Sequence, residues 1–309
     1  MIINTKDILI KISLELNQSG SPTPEIDAKV LIKYVLNRSE EFLMAHSYEP
    51  LTNSEYTKFR RVVRKRKKGE PIAYITKEKE FYGYSFSINK NVLIPRPESE
   101  LLVENAIKFI KLKVHKIEKG DGLSIIDIGT GSGNIIISLA LETNKLRSYG
   151  LIPNFYASDI SKKALYVARK NVKKQKINDQ IKFFYSDLFS NIKMPKKYDL
   201  ILANLPYVPK SHSELVEGSG ELSNSKWINP LLYEPHDAIF TDDNGTKIIK
   251  KFIYQVKSMI NKNGLILIEA DPRNINDISI CAKKRFKNSK IEKINDLAGL
   301  KRVVKICAG

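Results

Sequence analysis

The chain has 309 residues, 42% of them apolar, so it is long enough for two domains and rich enough for a buried core, which excludes the disordered and low-complexity classes. Its formal net charge of +18 suits an acidic partner, nucleic acid included, while two cysteines (Cys281, Cys307) without metal or redox spacing and four scattered histidines (His46, His115, His212, His236) argue against structural zinc and a disulfide framework. No apolar run approaches membrane-spanning length, and Lys6, Asp7, Lys11 and Glu15 interrupt the first apolar residues, so a soluble, cytoplasmic protein without a signal peptide is expected.

Helical patterns come first. Thr5 is placed to cap a helix with Ile8, Leu9 and Ile12 among its apolar positions, ending before Gly20. Pro24 suits the first turn of a second helix, whose Ala28, Leu31, Ile32, Val35 and Leu36 fall on one stripe. Ser39 and Thr52 begin two more, the last turning Tyr56, Phe59 and Val63 inward and closing at Gly69. Together they predict an N-terminal helical domain over 1–70. Its densest basic run, Arg60 to Lys68, has no interleaved aromatics for base stacking and reads as a solvated helix face, with nucleic-acid binding the less favoured alternative. Over 71–96, Tyr74, Phe81, Tyr82, Tyr84 and Phe86 suggest a β-hairpin linker turning near Gly83.

From residue 97 to 309 helical and strand patterns alternate, which predicts an α/β domain on a doubly wound sheet. A helix over Glu98 to Lys113 precedes a strand over Leu123 to Ile128. Glu98 and Glu100 carry two readings, site residues or first-turn acids. The strand runs into Asp127-Ile128-Gly129-Thr130-Gly131-Ser132-Gly133 and then the apolar stretch Ile135 to Leu141. Strand, glycine turn and helix in that order receive a nucleotide-type cofactor at a helix N-terminus, although a tight turn with no ligand has the same look. The spacing is G-x-G-x-G, not the dinucleotide G-x-G-x-x-G.

A second strand ends at Asp159, which could accept both hydroxyls of a ribose; the competing role, capping the helix Lys162 to Lys174, suits Ser161 better. The interval from Asp127 to Asp159 exceeds the roughly 20 residues typical of such units, so residues 142–153 read as a surface insertion. A third strand, Ile181 to Tyr185, leads to Ser186-Asp187-Leu188-Phe189, where an adenine could lie against Leu188 with Asp187 nearby.

Residues 199–207 read as a buried strand delivering Asn204-Leu205-Pro206-Tyr207 to its carboxyl end, where ligands bind in parallel α/β sheets. Asn204 offers an amide oxygen, Pro206 removes a backbone donor, and Tyr207 adds a flat apolar face. That set can hold a planar, neutral NH2 group. The irregular stretch from Pro209 to Trp227 reads as a cover over the substrate or as an unremarkable surface loop. A helix over Thr246 to Asn261 and a strand over Leu265 to Ala270 follow.

With these motifs the chain resembles the class I S-adenosylmethionine methyltransferases, and within them the HemK/PrmC type, which methylate the glutamine side-chain amide in the Gly-Gly-Gln loop of class I peptide chain release factors. The resemblance extends to Gly69-Glu70-Pro71-Ile72-Ala73-Tyr74-Ile75, Glu80-Phe81-Tyr82-Gly83, Val92 to Val103 with its Pro-Arg-Pro-Glu-Ser-Glu core, Glu234-Pro235 with Ala238, and Asp296-Leu297-Ala298-Gly299 leading to Arg302-Val303-Val304. It covers most of the chain from about Ser21 onward. Two departures stand out. Leu205 replaces the proline of the usual Asn-Pro-Pro-Tyr, the form familiar from rRNA adenine dimethylases, and Leu267 to Arg273 differs from the usual Glu-Ile-Gly continuation.

The resemblance implies a mostly parallel seven-stranded Rossmann-like methyltransferase sheet with a small N-terminal helical domain that docks the substrate. It implies S-adenosylmethionine as cofactor and no metal, with Asp127, Ile128, Gly129, Thr130 and Gly131 against the methionine portion, Asp159 on the ribose, Leu188 at the adenine and Asn204 beside the methyl. Asn204, Pro206 and Tyr207 would be catalytic, Leu205 joining them in holding the substrate, and the expected partner is a release factor acted on by a monomer. No dedicated base is required, so His212 and His236 read as surface or structural. Leu205 and the +18 charge favour an alternative, adenine N-methylation of rRNA, tRNA or DNA. A third reading is a non-catalytic S-adenosylmethionine-binding module.

Overall fold

A computed structural model describes residues 4–114, 122–146, 153–192, 197–211 and 229–309. The chain divides into two compact units, Met1–Glu78 with Glu214–Glu234, and Lys79–Ser213 with Pro235–Gly309.

The first unit contains helices α1 (Thr5–Gln18), α2 (Pro24–Leu36), α3 (Glu40–Ala45), α4 (Asn53–Lys67) and α5 (Ile72–Thr76). Asn4, not Thr5, caps α1: its side chain accepts from Asp7 N at 2.8 Å, whereas Thr5 is already helical and buried. Ser39 caps α3, and Thr52 with Glu55 forms a capping box on α4. Ile8, Ile12 and Leu16 of α1, Leu31 and Ile32 of α2, and Phe59 and Val63 of α4 close into one apolar core.

The basic run of α4 is only in part a solvated face. Arg60 and Lys67 pair with Glu15, at 2.7 and 3.3 Å, and Arg66 is buried with its Nε 2.7 Å from Asp27, which also accepts from Ser21. Arg60, Arg66 and Lys67 therefore tie α4 to α1 and α2, while Arg61, Arg64, Lys65 and Lys68 are exposed.

The hairpin is shorter than its aromatic pattern suggests. It comprises β1 (Glu78–Phe81) and β2 (Tyr84–Ser87), and Tyr74 belongs to α5. Tyr82 and Gly83 both take left-handed backbones, φ 53° and 73°, as a two-residue hairpin turn demands. Glu100 accepts from Tyr82 N at 2.8 Å, so this acid anchors the turn.

A 3-10 turn over Pro97–Ser99 leads into α6 (Glu100–Val114), followed by β3 (Ser124–Ile128), α7 (Asn134–Asn144), β4 (Asn154–Asp159), α8 (Lys162–Lys174), β5 (Ile181–Tyr185), β6 (Tyr198–Ala203), the short parallel pair β7 (Val208–Pro209) and β8 (Phe240–Thr241), a helix over Lys247–Val256, β9 (Ile260–Glu269), a helix over Ile275–Arg285, β10 (Lys290–Asn295) and β11 (Lys301–Cys307). The helix predicted to reach Asn261 stops at Val256, because the sheet captures Ile260 as the register partner of Tyr198. Seven strands form one sheet in the order β10-β11-β9-β6-β3-β4-β5, with β11 antiparallel to both neighbours and the other pairings parallel.

Helices flank the sheet, α6, α7 and α8 touching its strands and the helices Lys247–Val256 and Ile275–Arg285 covering Ile126, Ile201, Ile266 and Val304. With both faces covered, the central strands are largely apolar, and Ile125, Ile126, Leu200, Ile201 and Leu202 have no exposed surface. From β3 the chain moves outward through β4 and β5, then returns to β6 on the other side. The strand order thus switches between β3 and β6, and a parallel sheet opens its ligand crevice at such a point. The segments 147–152 and 212–228, which hold most of the expected insertion and cover, lie outside the described residues.

Candidate active site

Asp127, the penultimate residue of β3, is completely buried. Its Oδ2 accepts from Thr130 Oγ1 at 2.7 Å, while Oδ1 is buried without a partner among the described residues. Burial pushes its pKa up to about 7; the Thr130 hydroxyl opposes the rise and nearby Asp159 adds to it. The turn that follows is drawn against β4, with Gly129 N and Thr130 N both donating to Ser158 O. Gly131 has φ 56° and nothing within 4 Å of where a Cβ would stand, so one side of the turn is open.

Asp159 is nine-tenths buried at the end of β4 and is not free of protein donors. Oδ2 accepts from Gly131 N and Oδ1 from Ser161 N, each at 2.8 Å, so the carboxylate holds the glycine turn and the next loop together. Burial raises its pKa and these two backbone donors oppose that. A carboxylate oxygen takes two donors, which leaves each oxygen one further acceptor site. Ser161 caps α8, accepting from Ala164 N. Leu188 is buried with φ 49° in the core beside Tyr156 and Phe189; Asp187 is paired to Lys251 at 2.5 Å.

Because Ile128 and Ala203 are register partners on β3 and β6, the glycine turn and the Asn204 tetrapeptide emerge side by side. A Cβ on Gly129 would stand 2.9 Å from Leu205 Cδ2 and 3.7 Å from Asn204 O. Leu205 is buried, while Asn204, Pro206 and Tyr207 are half-buried. The Asn204 amide donates through Nδ2 to Ser99 Oγ at 2.9 Å. Tyr207 donates its hydroxyl to Glu269 Oε1 at 3.2 Å, and its carbonyl accepts from Asn274 Nδ2 at 2.9 Å. Burial, then Glu269, pushes the Tyr207 hydroxyl pKa strongly upward.

Ser99, Glu269 and Asn274 are site-region residues that the sequence reading passes over. Glu269 is the last residue of β9, completely buried, with its pKa pushed up to about 7 by burial against the opposing Ser99 and Tyr207 hydroxyls. An acid at or next to the carboxyl end of a largely apolar strand marks Asp127 and Asp159, and the same mark is present in Leu265 to Glu269.

The PrmC N-terminal domain family matches residues 7–76, and a methyltransferase domain family matches residues 119–301, more than half of the chain. The release factor glutamine methyltransferase of Buchnera aphidicola is 32% identical over 280 residues, covering 91% of this chain and 90% of that protein. The chain belongs to the release factor glutamine methyltransferase family. A member from Koribacter versatilis is 31% identical, with 94% of this chain and 93% of that protein covered. A bifunctional methyltransferase of Rickettsia typhi is 34% identical over 282 residues but is covered for 51% of its length, so the chain spans about half of that relative. Among solved structures, the hMettl16 catalytic domain has the same fold, with a TM-score of 0.52 at 14% identity over 90% of this chain and 93% of that one.

S-adenosylmethionine is the methyl donor of this methyltransferase family, and the residues present fit it. The unpartnered Asp127 oxygen and the spare acceptor sites of Asp159 suit a cofactor that carries ammonium, sulfonium and ribose groups, and the open side of Gly131 leaves room for its chain.

Proposed function

We propose that this chain transfers a methyl group from S-adenosylmethionine to the side-chain amide nitrogen of the glutamine in the Gly-Gly-Gln motif of peptide chain release factors. The observation that carries the reading is the abutment of the two motifs across the β3/β6 switch point, with Leu205 and the Asn204 carbonyl against Gly129. When bound, the cofactor supplies an electrophilic methyl group on a sulfonium. Asp127, Ile128, Gly129, Thr130 and Gly131 hold its methionine portion, Asp159 its ribose and Leu188 its adenine.

An amide nitrogen is a poor nucleophile because its lone pair is delocalised, so the residues must align it and accept the charge that develops. Asn204 Oδ1 and a main-chain carbonyl of Leu205 or Pro206 accept the two N–H bonds of the glutamine amide, which leaves its lone pair directed away from them. These acceptors strengthen as the nitrogen becomes positive, and holding the reactants in line contributes up to about 7–11 kcal/mol in favourable systems. Tyr207, pinned at its hydroxyl and its carbonyl, packs on the planar amide. Solvent takes the proton afterwards, since the methylated cationic amide is strongly acidic. The helical unit over 1–70 docks the release factor and the hairpin segment 71–96 links it to the catalytic domain.

The test offers labelled S-adenosylmethionine with a Gly-Gly-Gln release factor and, in parallel, structured RNA. Label on the glutamine is expected; label on RNA alone would establish the adenine-methylating alternative, which Leu205 favours. The pairing of Arg60, Arg66 and Lys67 with acids inside the N-terminal unit weighs against that alternative, because those cations are not available to phosphates. Asn204→Ala should lower turnover by about 100-fold or more while S-adenosylmethionine affinity stays within about threefold. Unchanged turnover would remove Asn204 from the proposed role.

A further inference from the structure

We propose that Asn171 is a positioning residue that joins the cofactor turn to the β-hairpin, so that one buried amide holds the turn in shape and fixes strand β2 at the same time. The proposal rests on the reading of the glycine turn as the cradle of S-adenosylmethionine. Asn171 lies on α8 with no exposed surface. Its Oδ1 accepts from Ser87 N at 2.7 Å, and its Nδ2 donates to Ser87 O at 3.1 Å and to Ser132 O at 2.9 Å. Ser87 ends β2 and Ser132 belongs to the glycine turn, 84 and 39 residues away along the chain.

Each bond meets a need that the local backbone leaves open. The Ser132 carbonyl stands before the N-cap Gly133, outside the hydrogen-bond ladder of α7, and Ser132 is buried, so this oxygen needs a donor from elsewhere. On the β4 side the turn is held by Ser158 O and Asp159 Oδ2. On the other side it is held by α8: a Cβ on Gly133 would stand 3.2 Å from Ala168 Cβ, and Asn171 lies about one helical turn further on. At Ser87 the amide takes both the N–H and the C=O, as a neighbouring strand would. Three bonds allow the amide a single orientation, because two carbonyls demand its NH2 and one N–H demands its oxygen. Aspartate keeps the size but has no donor for either carbonyl, and leucine fills the space without a polar atom.

The hairpin has other anchors, and these do not touch the turn. Gln175 Nε2 donates to Ser85 O at 2.7 Å, the Tyr84 hydroxyl donates to Glu142 Oε1 at 2.6 Å, and Tyr82 N donates to Glu100. Asn171 differs in bonding both. A cofactor that orders the turn therefore holds Ser132 O on the amide, and with it both backbone groups of Ser87. By linkage, loss of the amide weakens the cofactor, and the same change releases Ser87 from the state of the turn. The hairpin is in this way part of the support of the cofactor site, beyond its place in the chain as a connection.

The experiment takes the full chain as wild type, Asn171→Asp, Asn171→Leu, Gln175→Ala and Asp127→Asn. It measures S-adenosylmethionine affinity by calorimetry, kcat and cofactor KM for methyl transfer to a Gly-Gly-Gln release factor, the thermal midpoint, and amide hydrogen exchange over residues 82–88 with and without cofactor. Both Asn171 variants should raise the Kd and KM of S-adenosylmethionine by about tenfold, with kcat at saturating cofactor within about threefold of wild type. In wild type the cofactor should slow exchange at Ser87 N. That slowing should vanish in the Asn171 variants and persist in Gln175→Ala, whose cofactor affinity should stay within about twofold. Asn171 variants that lose thermal midpoint while binding cofactor as wild type does overturn the proposal, and so does an equal slowing at Ser87 with and without the amide. Should both variants fold poorly, wild-type exchange decides alone: slowing at Ser87 without slowing at Tyr82 upholds the link, and a general slowing or an unchanged rate refutes it. Asp127→Asn with wild-type affinity sinks the reading of the turn as the cofactor cradle, whereas weak binding in Asp127→Asn and wild-type binding in both Asn171 variants sink only the link.

Discussion

Asp127 is a carboxyl buried away from solvent, with one oxygen satisfied by Thr130 and the other by no partner among the described residues, and its pKa is pushed up to about 7. A cationic cofactor beside it favours the ionised form, and binding must therefore expel a proton. S-adenosylmethionine affinity should rise as pH increases towards about 7 and level off above it. Calorimetry at pH 6 to 8 in buffers of different ionisation enthalpy should register the released proton, and Asp127→Asn should bind more weakly without that pH dependence. An uptake of protons, or an affinity indifferent to pH, would contradict the assignment. Asp159 differs because two backbone N–H groups already compensate its charge.

The elements around the tetrapeptide act as a clamp. β7 pairs with β8, and the turn after β8 carries three successive left-handed residues, Asp243, Asn244 and Gly245, with φ of 55°, 50° and 82°. A Cβ on Gly245 would overlap the Tyr207 carbonyl oxygen and stand 2.9 Å from Asn274 Nδ2, the donor that holds that oxygen. Gly245→Ala should therefore add steric displacement of Tyr207 to the backbone strain of a left-handed alanine, about 1–3 kcal/mol for the strain alone. Gly299 has a similar φ of 79° but open space around it, so Gly299→Ala should show the strain term only. Thermal unfolding of the two variants compares them, and equal losses would show that the clamp exerts no force. Methyl transfer should fall in Gly245→Ala and hold in Gly299→Ala.

At the scale of the whole molecule, buried acids shape the pH response of folding, and Asp127 and Glu269 are the two whose pKa is pushed up to about 7. The folded-state pKa values of Asp127 and Glu269, about 7, lie above their unfolded values of 3.8 and 4.5. Their contribution to stability is complete below pH 4 and is lost as pH rises through 7, because the folded state must then bury a charge. Between pH 5.5 and 8 each should cost about 2 kcal/mol. Urea unfolding of the cofactor-free chain at those two values should show Glu269→Gln gaining on wild type as pH rises; a constant difference would refute the burial argument. Carboxyls held low by partners, such as Asp296 beside Arg302 and Asp271 beside Arg273, act in the opposite sense, their stabilisation being lost as pH falls below about 4.

Sequence alone determined the pieces whose physics is local. Continuous apolar runs mark strands buried on both faces, as in Leu200 to Ala203 and Leu265 to Ile268; a glycine turn marks where β3 gives way to α7; Pro24, Ser39, Thr52 and Ser161 mark helix starts because a cap or a missing N–H acts within one turn. From these the alternating α/β architecture and the strand-end candidates Asp127, Asp159 and Asn204 are legible. Tertiary structure decided which strand ends become neighbours and what occupies each polar atom. Asp159 looks free in sequence, yet Gly131 and Ser161 already donate to it. Ser99 and Asn204 are 105 residues apart and share a hydrogen bond, and Glu269 meets Tyr207 only because β9 lies beside β6. Periodicity records which face of an element is buried, whereas the partner of a buried polar group depends on strand order and register, which the chain settles only when the sheet closes.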